Sequence, residues 1–469
     1  MRGLALAVGL GALLAAGAVG AAEQQSAKPV ARSAVPAKAL ARAITPRRLR
    51  AHLTALETIA RRNGGTRAAG TPGYAQSVAY VTRQLRAAGY RPRLHTFSFD
   101  YFRETATPVL ERVAPGSRSY TRGTDFLTMR YSGGGNLVGQ VVPVDFGSPS
   151  SGCEDSDFAG FPNGALALMR RGVCPFTQKA ANAASAGAAG ALMANDGSPG
   201  RTAPLSATLF APVPIPALII SSEVGSELGS LAQAGQVRVR IVVSVRTTPA
   251  RAMNVIADLP GRKKGVVLLG AHLDSVANGP GINDNGSGSA LILEVARQAR
   301  RLHVRPKHGL RFAWWGAEEL GLIGSTAYVQ GLSSTERARI LDVLNLDMVG
   351  SPNFGRIVYT GDGEPRGSVR IENAFRAYFA ARRLPVEEAS LGGASDHAGF
   401  ARAGIPVGGL FTGADELKSA ALAGRFGGEA GRSFDSCYHK ACDTVANIDF
   451  GILDQMADAA AVVAVRLAG

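Results

Sequence analysis

Val266-Val-Leu-Leu-Gly-Ala-His-Leu-Asp274 is an apolar run, long enough only for a buried strand, that ends on a histidine and a carboxylate. The same plan returns in Leu310-Arg-Phe-Ala-Trp-Trp-Gly-Ala-Glu318-Glu319 and in the run from Ile340 to Asp347. Working outward, strands are expected at 266–274, 310–315, 340–347, 357–361 and 406–411. Helical stripes fall between and after them, at 289–302, 322–332, 367–383 and 450–467. This alternation predicts an α/β fold, a mainly parallel, twisted, mixed sheet flanked by helices, with the active site at the carboxyl ends of the strands.

The amino-terminal part opens in the same style. Leu49, Leu53, Leu56 and Ile59 recur at helical spacing until Gly64-Gly65, and a second helix is expected at 73–88, with Val78, Val81 and Leu85 on one face. A strand at 91–99 follows, yet the next of similar character comes only at 254–259. Between them lie short β-type runs at 137–144, 165–169 and 237–245, Pro/Gly turns and an Ala-rich helix at 176–189. Insertions are tolerated at exposed loops, so 106–249 reads as a smaller β-rich α/β domain inserted into a larger one made of 44–105 and 250–469.

Met1-Arg2, an apolar stretch to Val19 and Gly20-Ala21-Ala22 have the order of a secretory signal peptide, 1–22, cut after Ala22. The segment 23–43, rich in Ala, Lys, Arg and Pro without periodicity, reads as a linker or propeptide. No other run approaches the length of a bilayer span, so a secreted, extracellular or periplasmic protein is expected, without stable membrane insertion. Four cysteines in an exported chain are expected to form two disulfides, Cys153 with Cys174 and Cys437 with Cys442. The net charge of +15 is concentrated at one end, since residues 1–122 hold 19 Lys/Arg against 5 Asp/Glu. Those arginines are scattered along helical patterns without interleaved aromatics or a nucleic-acid motif; they make a solvated surface, and no nucleic-acid partner is expected.

Each strand end carries something costly to bury. His272 and Asp274 stand at i and i+2, where one can ligate a metal while the other fixes the imidazole. Gly281-Ile-Asn-Asp-Asn-Gly-Ser-Gly288 runs into a helix, and its glycines let the backbone carry Asp284 into a crowded site. Phosphate binding is disfavoured there, because no Lys stands at the Walker position. The adjacent Glu318 and Glu319 diverge, so one can hold metal while the other faces substrate, and Asp347 ends a third buried strand. A further histidine comes from Cys437-Tyr438-His439-Lys-Ala-Cys442 or from Ser395-Asp396-His397; spacing does not choose between His439 and His397. His-Glu-x-x-His is absent, no Ser has the glycines of a nucleophile elbow, and all four cysteines are assigned to disulfides. Five ligands and a spare carboxylate are the parts of a two-metal hydrolase.

Ala271-His-Leu-Asp-Ser275, Asn283-Asp-Asn-Gly-Ser-Gly288, Trp315-Gly-Ala-Glu-Glu-Leu-Gly321, Asn345-Leu-Asp-Met348, Ser395-Asp-His397 and Cys437-Tyr-His-Lys-Ala-Cys-Asp443 resemble, in order, the motifs of metallopeptidase family 28, the co-catalytic zinc aminopeptidases. Ala51-His-Leu-Thr54, Asn63-Gly-Gly-Thr-Arg67 and Gly73-Tyr74 extend the likeness to the amino-terminal part. The middle resembles a protease-associated domain through Cys153, the run from Ala165 to Gly172, Cys174-Pro-Phe176, Lys179, Ala186-Gly-Ala-Ala-Gly190 and Asn195-Asp-Gly197. The resemblance implies the zinc-peptidase fold and two zinc ions, one on His272 and Asp347, the other on Glu319 and His439, bridged by Asp284. It implies Glu318 as general base, Asp274 as the partner of His272, and Tyr438 as donor to the oxyanion. Peptide or protein N-termini are the implied substrates, with large apolar residues preferred and the chain acting as a monomer. The alternatives are a carboxypeptidase or dipeptidase of the same family, or an inactive peptidase-like binding protein. Two departures stand out. Ala394 occupies the position where relatives often carry a substrate-orienting Arg. Relatives that bind calcium use carboxylates matched by Asp454 and Asp458 plus an N-terminal Asp; none stands around Ala43, which weighs against calcium.

Overall fold

Eight strands build the larger sheet of the computed structural model: β1 (Arg93–Glu104), β2 (Val245–Leu259), β3 (Val266–His272), β4 (Gly309–Trp315), β5 (Ile340–Leu346), β6 (Ile357–Tyr359), β7 (Glu387–Ala389) and β8 (Val407–Phe411). Their spatial order is β1-β2-β4-β3-β5-β8-β6-β7. The centre, β4-β3-β5-β8, is parallel, whereas β1–β2, β2–β4 and β6–β8 are antiparallel, so the sheet is mixed. The structure describes residues 37–198, 201–205, 207–209, 211–390 and 392–469; the expected signal peptide and the first part of the expected linker lie outside them.

Both faces of the central strands are buried, which is why they read as continuous apolar runs rather than alternating ones. Leu269, Phe312 and Leu344 enter one core with helices α1 (Ala37–Ala43), α2 (Pro46–Arg62), α3 (Pro72–Ala87), α4 (Gly288–Arg301) and α7 (Phe450–Leu467). Leu268, Ala313 and Trp315 enter the opposite one with Tyr328 of α5 (Ile323–Gln330) and Phe400. Helix α6 (Ser368–Ala380) adds Phe375 and Phe379 to the first core. Among the described residues no helix is long and apolar enough to cross a membrane.

β1 pairs with β2 along the whole length of β1, from Arg93 opposite Ile256 to Glu104 opposite Val245. The chain leaves the sheet at Glu104 and re-enters at Val245 with its two ends side by side, so a folded unit fits between them without opening the sheet. That unit has its own eight-stranded sheet, with Gly135–Pro143, Leu166–Arg170, Gly190–Ala194 and Ala217–Ile220 as parallel neighbours. Helix Ser222–Ala234 packs Val224 and Leu228 on one face, and helix Phe176–Ser185 packs Ala180 and Ala183 on the other. The expected disulfides Cys153–Cys174 and Cys437–Cys442 are both formed.

Three local details differ from expectation. The end of the segment read as a linker is helix α1, because Leu40 and Ala41 find buried places beside α7 and α4. Gly190–Ala194 and Ala217–Ile220 are strands that carry no alternation because every residue in them is buried. β3 ends at His272, so Asp274 lies past the strand rather than on its face.

Candidate metal centre

The carboxyl ends of β3, β4 and β5 open at one place, and each delivers a side chain into it. His272 closes β3, Asp347 follows β5, and the turn after β4 brings Glu318 and Glu319. The 281–288 loop runs over them. Gly281 takes the left-handed φ of 61°, and at Gly288 a Cβ would lie 2.0 Å from the Leu346 carbonyl, so neither position suits a side chain. That fit lays Asp284 across the middle of the cluster. Its Oδ1 stands 3.1 Å from His272 Nε2 and its Oδ2 3.1 Å from His439 Nε2. Asp347 Oδ1 is 3.3 Å from His272 Nε2, and Glu319 Oε2 is 3.1 Å from His439 Nε2. Among the described residues three groups of donors therefore form, the atoms of each within 4.8 Å of one another: His272/Asp284/Asp347 and Asp284/Glu319/His439, which share Asp284, and His272/Glu318/Glu319. Glu318 Oε2 lies at their edge, 3.8 Å from His272 Nε2. His439, held in the Cys437–Cys442 loop, belongs to the cluster, and the ring of Tyr438 stacks on it at 3.8 Å. His397 instead opens the helix His397–Arg402 and faces Tyr359.

The supporting contacts are only partly those expected. Asp274, assigned to His272, does lie against it: His272 Nδ1 is 3.2 Å from the Asp274 main-chain carbonyl and 3.7 Å from its carboxylate. The carboxylate also accepts the Glu318 N–H at 3.2 Å, so its reach past the end of β3 ties the Glu318 turn down. Ser395 Oγ donates to Asp347 Oδ2 at 2.6 Å. Asp443 accepts the N–H groups of Asn283 and Asp284 at 2.8 and 3.1 Å, fixing the loop that carries the central carboxylate. Arg67, fully buried, donates to the carbonyls of Leu273, Pro280 and Gly281. Ser395, Asp443 and Arg67 all stood in quoted motifs with no task; a polar residue fixed beside ligands was the signal. Ala394 is exposed beside Ser395 and brings no charge.

Electrostatically the cluster is over-supplied with carboxylates. Burial opposes protonation of His272 and His439, yet Asp347 and Glu318 beside the first, and Glu319 and Asp284 beside the second, hold both imidazoles well above their usual range. Burial, reinforced by Asp396, Glu319 and Asp347, drives Glu318 well up. Asp274, Asp396 and Asp443 are each pushed up to about 7, chiefly by burial. Glu319 Oε1 is buried without a hydrogen-bond partner, and Asp347 Oδ1 is buried with only the His272 ring beside it. Such oxygens are costly to bury unless a cation meets them. Mixed imidazole and carboxylate sets of this kind suit borderline divalent ions, so the residues fit the expected metal.

Asp454 and Asp458 stand one turn apart on α7, and no group of three metal-ligating side chains among the described residues includes them. Burial, and then Asp454, push Asp458 up to about 6. A raised carboxylate pKa means the folded state binds the proton more tightly, so stability falls as pH rises from the unfolded value of about 4 through the folded one. Asp458→Asn is therefore expected to raise Tm at pH 8 and to leave it unchanged near pH 3.5. Thermal melts at both pH values check this, and a calcium ion held by the pair would reverse the sign at pH 8 in calcium buffer.

A mixed α/β sheet with an inserted β-rich domain, and with histidines and carboxylates gathered at its carboxyl ends, is the architecture of a hydrolase. Peptidase family M28 matches residues 254–464, and a PA domain matches residues 137–228. An aminopeptidase of Pseudomonas aeruginosa is 42% identical over 88% of this chain and 78% of its own. Leucine aminopeptidase 2 of Trichophyton rubrum is 35% identical over 82% and 76%. Among solved structures, an aminopeptidase from Aneurinibacillus sp. strain AM-1 superposes with a TM-score of 0.76 at 27% identity, covering 92% of this chain and 96% of that one. A zinc aminopeptidase from Bacillus subtilis does so with 0.65 at 25% identity, covering 89% and 94%. The chain belongs to peptidase family M28, carries an inserted PA domain and is an exopeptidase.

Proposed function

We propose that this protein is an exported, zinc-dependent aminopeptidase that removes N-terminal residues, preferentially large apolar ones, from peptides. One observation carries the reading: two donor sets share Asp284, with the carboxylate of Glu318 beside them and outside both. The zinc named for the Bacillus relative and the leucine named for the Trichophyton relative support the cofactor and the preference. Two disulfides support an oxidising compartment. Zinc ions held by His272 and Asp347, and by Glu319 and His439, with Asp284 between, would polarise the scissile carbonyl and lower the pKa of water.

The chain's own groups supply the rest. Glu318 takes the proton of the attacking water and hands it to the leaving amine. Asp274, through the Glu318 N–H, keeps that carboxylate at the edge of the cluster. The Tyr438 hydroxyl, which burial and the neighbouring carboxylates keep protonated, donates to the developing oxyanion. Treating the purified protein with a zinc chelator is expected to abolish hydrolysis of leucine p-nitroanilide, and added Zn²⁺ to restore it, with two zinc ions bound per chain. Chelator-resistant hydrolysis overturns the metal reading; cleavage of N-blocked dipeptides in preference to the anilide overturns the aminopeptidase reading.

A further inference from the structure

The inserted domain touches the metal centre through a side chain that carries no sequence motif. Arg130 follows the short strand Phe126–Thr128, and its backbone is held on both sides: its N–H donates to the Ala207 carbonyl at 2.9 Å, and its carbonyl accepts from Leu209 N–H at 3.0 Å. The next residue, Tyr131, sits at φ 65°, a conformation that costs a non-glycine residue energy and persists where surrounding contacts impose it. Those contacts are present: the Tyr131 ring meets Phe102 edge-on, and its hydroxyl donates to the Asp100 carbonyl of β1 at 2.8 Å. From this anchored position the Arg130 guanidinium crosses into the larger domain, and Nη1 donates to the main-chain carbonyl of Glu319.

The receiving turn explains why that contact matters. Ala317 and Leu322, at φ 56° and 59°, bend it sharply. Two of its carbonyls are taken from within: Ile323 N–H donates to Ala317, and Gly321 and Leu322 N–H groups donate to Glu318. The carbonyl of Glu319, the residue whose carboxylate meets His439, is taken from the inserted domain. The acidic groups that act on the guanidinium include Glu319, Asp274 and Glu318, members or neighbours of the metal cluster. Burying a guanidinium there costs free energy that a mere domain clasp does not require. The exposed pair of Arg122 with Glu104, 2.6 Å apart at the root of the insertion, shows such a clasp.

We propose that Arg130 is a positioning residue of the metal centre: it holds the Glu318–Glu319 turn so that Glu319 faces the metal and Glu318 the substrate. The inserted domain is thereby a working part of the catalytic unit. This rests on the zinc aminopeptidase reading given above. The test compares Arg130→Ala, Arg130→Lys and Arg122→Ala in the full protein by kcat and KM on leucine p-nitroanilide, by zinc retained against a competing chelator, and by Tm. Arg130→Ala is expected to lower kcat and zinc affinity about 10- to 100-fold, the usual effect of losing an outer partner of a metal ligand, with KM little changed. Arg130→Lys recovers part of both, and Arg122→Ala matches the wild type. Wild-type kcat and zinc retention in Arg130→Ala overturn the proposal, as does an equal loss in Arg122→Ala, which would make the effect one of domain attachment. A wild-type protein without zinc-dependent hydrolysis defeats the functional reading instead, and zinc retention by the Arg130 variants still decides this one.

Discussion

Glu318→Gln is expected to lower kcat about 10²- to 10⁴-fold, the range a general acid–base group supplies, while zinc content and Tm stay at wild-type values. The separation of these outcomes follows from how the residue is held. Its place in the turn is fixed through its main-chain N–H on the Asp274 carboxylate at 3.2 Å, a contact that Gln keeps. Its own carboxylate stands 3.8 Å from His272 Nε2 and groups only with His272 and Glu319, so the two sets that share Asp284 lose no atom. Gln matches the shape of Glu and cannot accept the proton. Glu319→Gln makes the contrast, because Glu319 Oε2 is 3.1 Å from His439 Nε2 and belongs to a ligand set; there zinc should leave along with activity. Steady-state kinetics with metal analysis on the same preparations check both. Turnover of Glu318→Gln close to wild type would remove it as the base.

How much of this could be read before any coordinates follows from what each residue depends on. β3, β4 and β5 were legible because burial on both faces makes continuous apolar runs, and the groups at their ends were conspicuous because a carboxylate closing a buried strand is expensive without a partner. The inserted domain was legible as a change of texture between 91–99 and 254–259, and the pairing of β1 with β2 gives the physical reason: one chain leaves and re-enters at adjacent strand ends. Gly190–Ala194 was not legible, since five small or apolar residues directly after an Ala-rich helix have no periodicity of their own. Asp274 was placed on the face of a strand that stops two residues earlier, so its second partner beside His272, the Glu318 N–H, was out of view. Arg130 was beyond reach for a different reason. Its meeting with Glu319 joins positions 189 residues apart and exists only once two domains have docked. Periodicity reports an element's own burial, and motifs report spacing along the chain; neither reports contacts of that kind.

Arg67→Met is expected to be the most destabilising single change near the site, by about 3–9 kcal/mol, counting roughly 1–3 kcal/mol for each of three buried acceptors left without its donor. Arg67 is fully buried and its guanidinium fans across the carbonyls of Leu273, Pro280 and Gly281, while its own N–H donates to Ser275 Oγ at 2.9 Å. Those carbonyls flank the two segments that carry His272 and Asp284, so one planar fork sets the distance between the end of β3 and the glycine loop. Met fills much of the volume and supplies no donor, which isolates the hydrogen bonds from the packing. Charge acts in the same direction. Burial pulls the guanidinium down to about 10, which still leaves it cationic at neutral pH, facing Asp274, Asp443, Asp284 and Glu319. Without it the central carboxylates repel one another unscreened until metal binds, which further destabilises the metal-free protein; zinc depends on the geometry the fork sets between His272 and Asp284, so with the fork gone the variant should also lose zinc at lower chelator concentrations than the wild type. For a chain of this size about 1 °C of Tm accompanies each kcal/mol, so a fall of about 3–9 °C is expected. Lys in the same place keeps the charge but offers a single nitrogen for three divergent acceptors, and should recover part of the Tm of the metal-free protein but little of the zinc affinity. Thermal melts and chelator titrations of Arg67→Met and Arg67→Lys read the two contributions separately. A Tm for Arg67→Met within about 1 °C of wild type, less than one orphaned acceptor costs, would show that the carbonyls find water instead and that the fork does not set the site.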